Sequence, residues 1–244
     1  MLEMTDLLQE VLAAHGGLDR WRSVTALTVH GTFGGLLQSR FPGNRMTEVT
    51  ARVCMSEQHV VFEGFPDDGR RAVFDRGDVR VETAGGEVIT ARAQARNAFR
   101  GAGAVRRTVR WDALDATYFA GYAWWNYLTL PLLLTRPDLV VTDVGPKRGA
   151  HRRRLAVTFP AHLHTHCARQ VFHVDGAGLI RRHDYTAEPV GKWARAAHHC
   201  DRHREFGGLV FPTRRRVRPR GPGGHSLAGP MLVALDIDHV EIET

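Results

Sequence analysis

Apolar residues recur at two different spacings along this chain, and the change of spacing divides it into elements. Leu7, Leu8, Val11 and Leu12 fall at helical intervals, so residues 4–14 read as a short amphipathic helix stopped by Gly16-Gly17. Asp19-Arg20-Trp21 then forms a short turn into VTALTVHGTF, residues 24–33, whose β-branched content is that of a strand. Further strands follow at 47–56, 58–65, 70–75 and 79–83. They are separated by Pro66-Asp67-Asp68-Gly69 and Arg76-Gly77-Asp78, the residue types that close hairpins. The pattern then breaks. WDALDATYFAGYAWWNYLTLPLLL is aromatic and apolar with few turn signals, and it predicts a helical segment over about 112–134, interrupted near Gly121 and ended by Pro131 and Pro137. Strands resume at 140–144, 152–159, 167–174, 179–187, around 195–206, at 209–218 and at 232–242, with a loop at Arg220-Gly221-Pro222-Gly223-Gly224. Such an order predicts a mainly β (α+β) protein. A curved antiparallel sheet or incomplete β-barrel encloses a helical plug, with an N-terminal helix, in one domain spanning 1–244 and a helical insertion at about 112–136.

The sharpest local signal is Asp175-Gly176-Ala177-Gly178, a turn that pairs Val174 with Leu179. Counting outward, Phe172 faces Arg181, Gln170 faces His183, Ala168 faces Tyr185 and His166 faces Ala187. The opposite surface pairs Val171 with Arg182 and sets Arg169 against Asp184 as an opposite-charge pair. Alternate residues of a strand share a face, so His162, His164 and His166 of HLHTH extend the first surface.

That surface mixes aromatic lining with titratable groups, as a pocket for an apolar molecule does. The expected catalytic set is His166 and His183, exchanging protons, with Gln170 and Tyr185 orienting them. Phe172 and Arg181 are expected to touch the ligand, and Tyr122, Trp125 and Asn126 of the plug to shape its pocket. The plainer alternative leaves this surface in water and buries the other one. Three tyrosines and two tryptophans between residues 118 and 127 equally suit a core. A metal reading remains as an alternative: His162, His164 and His166, helped by His183 or by His198, His199, Cys200, Asp201 and His203, offer ligands for zinc or iron. No paired cysteines or helical His-Glu-X-X-His support it, and no cofactor is expected. Nucleophile-elbow, phosphate-loop and dinucleotide fingerprints are missing as well.

Composition changes this picture little. The 244 residues are 43% hydrophobic and 24% charged, ordinary for a globular protein with a sizeable core. The net charge of +7 comes from a basic set in which only Lys147 and Lys192 are lysines. An arginine and alanine excess of that kind follows from GC-rich coding and says little about partners. The clusters His151–Arg154 and Arg214-Arg215-Arg216 with Arg218 and Arg220 lack any nucleic-acid-recognition motif. In a strand, Arg214, Arg216 and Arg218 share one solvated face, so nucleic-acid binding is not expected. The sequence leaves the oligomeric state open. No stretch is long and apolar enough to span a bilayer. Acidic residues near the start do not suit a secretory leader, and Cys54, Cys167 and Cys200 do not suit a disulfide framework, so a cytoplasmic protein is expected.

The opening AAHGGLDRWRSVTALTVHGTF resembles the start of proteins similar to the LolA/LolB-type lipoprotein carriers. The order helix, strands, inserted helix, strands resembles their fold, a half-barrel holding helices in its mouth. GYAWWNYLTLP, THCARQVFHVDGAGLIRRHDY and GGLVFPTRRRVR resemble an uncharacterised group of actinobacterial proteins of about this length. The resemblance implies an apolar cavity and no reaction. Three functions therefore stand at this stage: a cofactor-independent cyclase, isomerase or dehydratase of specialised metabolism, a non-catalytic carrier of a lipid or other hydrophobic ligand, or a metal enzyme using His162, His164 and His166.

Overall fold

Glycine- and aspartate-rich turns fold the chain back on itself repeatedly, and the strands between them join into one antiparallel sheet. The computed structural model describes residues 4–40, 46–101, 107, 110–146 and 153–244. Among these, α1 (Asp6–Ala14) is capped by Thr5, whose hydroxyl accepts from the Leu8 N–H, and it buries Leu7, Leu8, Val11 and Leu12. A single helical turn, α2 (Leu18–Arg22), stands where the sequence predicts only a turn. It buries Trp21, which packs edge-on against Phe211 with ring centres 5.4 Å apart.

The strands are β1 (Ala26–Gly34), β2 (Glu48–Cys54), β3 (His59–Glu63), β4 (Arg70–Asp75), β5 (Asp78–Thr83), β6 (Val88–Arg92), β7 (Val140–Asp143), β8 (Arg153–Thr158), β9 (Arg169–Val174), β10 (Ile180–Thr186), β11 (Arg195–Phe206), β12 (Leu209–Pro219) and β13 (Val233–Glu243). Only β6 goes unannounced by the sequence. Its Val88 and Ile89 are exposed, so it carries no alternation toward the core. Across the sheet the order is β6-β5-β4-β3-β2-β1-β13-β12-β11-β10-β9-β8-β7. The first strand thus pairs with the last, from Ala26 opposite Glu243 onward. This join lies mid-sheet, and the two free edges are β6 and β7. The segment linking those edges carries α3 (Ala113–Leu128), every residue of which from Leu114 onward is buried. The sheet is therefore curved but unclosed, and it wraps a plug supplied by its own edge-to-edge connection.

Local chemistry fixes that plug. Asp112 and Asp115 form a reciprocal capping box at its start. Asp115, fully buried, pairs with Arg92 of the free edge at 2.7 Å and with Arg107 at 2.6 Å. Gly121 does not interrupt the helix as predicted. A Cβ there would overlap Phe74 of β4, so glycine permits close helix–sheet approach. The helix ends at Leu128, before Pro131.

Two further predictions are corrected. His162, His164 and His166 do not alternate on a strand, because β9 begins only at Arg169 and residues 159–168 form a loop. Pro160 has no N–H to offer a ladder, and the loop's backbone bonds across the barrel instead. The Gln58 amide receives the His164 N–H and donates to its carbonyl, both at 2.8 Å, and Arg96 donates to the Thr165 carbonyl at 2.7 Å. The hairpin register is also displaced. Asp175 Oδ1 accepts the N–H groups of Ala177 and Leu179, so the turn consumes Leu179 and pairing starts with Val174 opposite Ile180. Arg181 then sits in a bulge, and beyond it Arg182 faces His173, His183 faces Phe172, and Asp184 faces Val171. The expected Arg169–Asp184 pair does not form; Asp184 is held by Arg182 at 2.6 Å and His173 at 3.1 Å.

The basic run in β12 divides by face. Arg214, Arg216 and Arg218 are partly exposed, with Arg216 paired to Asp236 at 2.6 Å, whereas Arg215 turns inward and is buried. His151 and Arg152 of the other cluster lie outside the described residues.

Candidate functional site

Register places two histidines side by side in an otherwise apolar row across the inner face of the sheet. Leu155, Phe172, His183, His198 and Val217 are successive partners on β8 to β12. One rung along, Tyr185 of β10 faces Ala196 of β11, which faces Pro219 of β12. Phe172 stacks on His183 with ring centres 4.2 Å apart, and the Gln170 amide oxygen bonds His183 Nε2. Gln170 is fixed in turn by the Cys167 carbonyl at 2.8 Å and by the Thr165 hydroxyl.

His166 enters from the loop above this face and stacks on Tyr185 at 3.8 Å, the rings within 4° of parallel. Its two nitrogens meet two tyrosines of α3: Nδ1 the Tyr122 hydroxyl at 3.0 Å, Nε2 the Tyr127 hydroxyl at 2.6 Å. The Tyr127 hydroxyl continues to that of Tyr185 at 3.0 Å. A neutral imidazole has one N–H and one lone pair, so the chain has two internally consistent directions. With the proton on Nε2, Tyr122 donates to His166, His166 to Tyr127 and Tyr127 to Tyr185, which leaves the Tyr185 proton uncommitted. With the proton on Nδ1, every bond reverses and the uncommitted proton is that of Tyr122.

Burial keeps these groups uncharged. It lowers His166, His183 and His198 well below the ordinary histidine value, with Arg96 adding repulsion at His166 and Arg215 at His198. Burial likewise raises Tyr122, Tyr127 and Tyr185 above the usual phenol value. The one permanent charge among them is Arg215. Its guanidinium donates to the Tyr127 carbonyl at 2.9 Å and to Cys200 Sγ at 3.6 Å, and lies 5.2 Å from the Tyr127 ring centre. Several buried polar atoms have no partner: both ring nitrogens of His198, Nδ1 of His183, Nε of Arg215 and Oδ1 of Asn126.

The rung carrying Tyr185 and Ala196 opens into a cavity of about 670 Å³. Its walls come from the 3-10 turn Leu36–Arg40, the β10–β11 connection around Ala187, Val190 and Trp193, and the β12–β13 connection around Leu227 and Leu232; Phe119 of α3, Val217 and Val233 complete them. At the other end of β11 and β12, α1 and α2 are seated: the Val210 N–H reaches the His15 carbonyl, and Arg20 Nε donates to the Gly207 carbonyl. The cavity's wall is mostly apolar, and Tyr185 is the group that connects it to the histidine–tyrosine chain.

Of the residues singled out in the sequence, His166, His183, Gln170, Tyr185, Phe172 and Tyr122 come together in this cluster. Only Tyr185 among them lines the cavity. Trp125 donates to the Cys54 carbonyl at 2.8 Å, and Asn126 donates to the carbonyls of Tyr122 and His164 at 2.6 and 2.9 Å. Both face the core. Arg181 leaves the face altogether, because its bulge turns it to Asp175 at 2.5 Å and to His203 at 3.3 Å. The three histidines of HLHTH separate: His162 meets Asp138 at 3.0 Å, His164 meets Tyr118 at 2.9 Å, and His166 joins the cluster. Among the described residues, no group of three metal-ligating side chains converges. Sequence reasoning named Arg215 only as a member of a basic cluster and gave it no role, and it used His198 only as a further metal ligand. The inward alternation Ala196, His198, Cys200 carried the signal for the second. Phe119 and the loop residues that wall the cavity were also missed.

No family model matches the chain, and no curated protein matches it in sequence. Solved structures do. A DUF1329 family protein from Desulfovibrio piger is similar over 98% of this chain and 94% of its own, with a TM-score of 0.51 and 14% identity. A LolA superfamily protein from Nitrosomonas europaea is similar over 97% of this chain and 94% of its own, with a TM-score of 0.51 and 10% identity. These likenesses establish a LolA-like fold.

Proposed function

We propose that this protein binds an apolar small molecule in the cavity above Tyr185, as a carrier or binding protein. The observation that carries the reading is the cavity itself. At about 670 Å³ it falls within the range of small-molecule sites, and its wall of Leu37, Ala187, Val190, Ala196, Val217 and Val233 offers apolar contact on several sides. Trp193 is 71% exposed at its rim, beside the exposed Leu36 and Leu227, a concentration of apolar surface that an occupant would cover. A LolA-like half-barrel suits such a role, since it leaves a hollow between sheet and helix. The neutral dye Nile red tests this. It should bind with a blue-shifted emission, and Ala196→Phe, which fills the floor, should weaken binding by about tenfold or more while far-ultraviolet dichroism is unchanged. Equal binding by both proteins would remove this cavity as the site.

A second reading is enzymatic, a cofactor-independent isomerase, cyclase or dehydratase. The Tyr185–Tyr127–His166 chain favours it, because it is suited to passing a proton to or from a ligand beside Tyr185 without creating a buried charge. His183 and Gln170 would hold the chain from behind. Proton NMR of a ligand recovered after incubation separates the readings, since it reports isomerisation and cyclisation as well as loss of water: a carrier returns the ligand unchanged.

A further inference from the structure

The same cavity has a charge pattern that its apolar wall does not require. Arg40, Arg195 and Arg220 line it, and among the described residues no aspartate or glutamate does. Arg220 is poorly neutralised. Its nearest carboxylate, Asp184, is 3.8 Å away and already engaged by Arg182 and His173, and the Arg220 Nε atom is buried without a partner. Burial lowers Arg220 below the usual guanidinium value; Asp184 opposes this, and Arg195 and Arg182 add repulsion. Arg40 is half-buried, donates to the Arg107 carbonyl at 3.4 Å and lies 5.7 Å from the Trp111 ring. Among the described residues, neither Arg40 nor Arg195 has a carboxylate within 4 Å; Arg40 is partly shielded from water, whereas Arg195 stands exposed at the cavity rim.

A wholly apolar ligand would leave the partly buried guanidinium groups of Arg220 and Arg40 desolvated and uncompensated, which costs free energy. An anion would replace the lost hydration and accept charge-assisted hydrogen bonds from planar forks. We propose that the ligand is an amphiphile with an apolar body along Val217 and Val233 and an anionic head, carboxylate or phosphate, held by Arg220 with Arg40 and Arg195. This rests on the binding reading above and specifies its ligand class.

Calorimetric titration of the full chain with a matched series tests it: dodecanoate, dodecyl phosphate, dodecanol and dodecyltrimethylammonium. At least one of the two anions should bind about tenfold or more tightly than dodecanol, the cation most weakly. The comparison of the anions distinguishes a carboxylate from a phosphate head. The preference should shrink as salt is raised. Arg220→Gln should bring the anion down toward dodecanol without changing dodecanol binding. Arg218→Gln, in β12 and outside the cavity lining, should preserve the preference. Dodecanol binding as tightly as both anions overturns the anionic head while leaving the apolar cavity standing. So does an Arg220→Gln protein that keeps the preference. A folded protein that binds none of the four overturns both.

Discussion

His198 lies at the centre of the inner face, fully buried, between His183 and the cavity-lining Val217, and neither of its ring nitrogens has a partner. An unsatisfied buried group of this kind costs about 1–3 kcal/mol. Its ring nevertheless packs, edge-on to Tyr127 with centres 4.6 Å apart. His198→Phe keeps the aromatic shape and removes the orphaned atoms, so it should stabilise the protein by about 1 kcal/mol in urea unfolding. A loss of more than that would mean the imidazole makes bonds worth keeping. Tyr127 presents the opposite case. Its hydroxyl serves both His166 and Tyr185, so it holds the network together rather than straining it. These two residues sit in contact and show that aromatic packing and hydrogen bonding are separable here.

At the scale of elements, α3 is the part most exactly fitted to its surroundings. Gly121 faces Phe74 so closely that a methyl group would collide with it. Alanine favours a helix over glycine by about 1 kcal/mol, but overpacking a rigid contact costs about 1–3 kcal/mol, and here helix and strand would both have to move. Gly121→Ala should therefore lower stability by roughly 2 kcal/mol, read as a fall in the denaturant midpoint; a rise would show that β4 yields. This residue also illustrates what the sequence reveals. Alternation and turn residues made every strand but β6 legible, and the aromatic run announced the plug. Gly121 looked like a break because a sequence does not show what lies opposite a glycine. In the 167–187 hairpin, the aspartate turn was legible but not the Arg181 bulge that its side chain stabilises. Parity survived, so His183, Gln170 and Phe172 were placed on a common face. The HLHTH alternation misled for a different reason: three evenly spaced histidines imply a strand only if their backbone joins a ladder, and theirs bonds across to Gln58 and Arg96. The cavity wall was illegible because it is assembled from three connections distant in sequence.

For the molecule as a whole, the buried histidines couple stability to acidity. In the folded protein His166, His183 and His198 are lowered well below the ordinary 6.5 by burial, and His203 to about 4 by burial and then by Arg181. Above that ordinary value both states are neutral and nothing changes. As pH falls through it, the unfolded chain takes up protons that the folded chain refuses, so stability declines. Each such histidine contributes up to about 1.4 kcal/mol per pH unit. The denaturant midpoint should accordingly drop steeply between about pH 6.5 and pH 5, before carboxylates begin to protonate. A midpoint constant over that interval would contradict the burial of neutral imidazoles. Asp184, whose value is lowered by its ion pairs despite burial, extends the decline at still lower pH.

The pairing of β1 with β13 has a mechanical side. The chain enters β1 at Ala26 and leaves β13 at Glu243, on opposite sides of one rung. Once α1 and α2 are peeled away, tension on the two chain ends bears on that rung alone, then on the next, like a zipper opening. The seam that joins the two halves of the sheet would yield rung by rung under a pull on the ends, whereas a pull along the strands from internal loops would load many rungs in shear together.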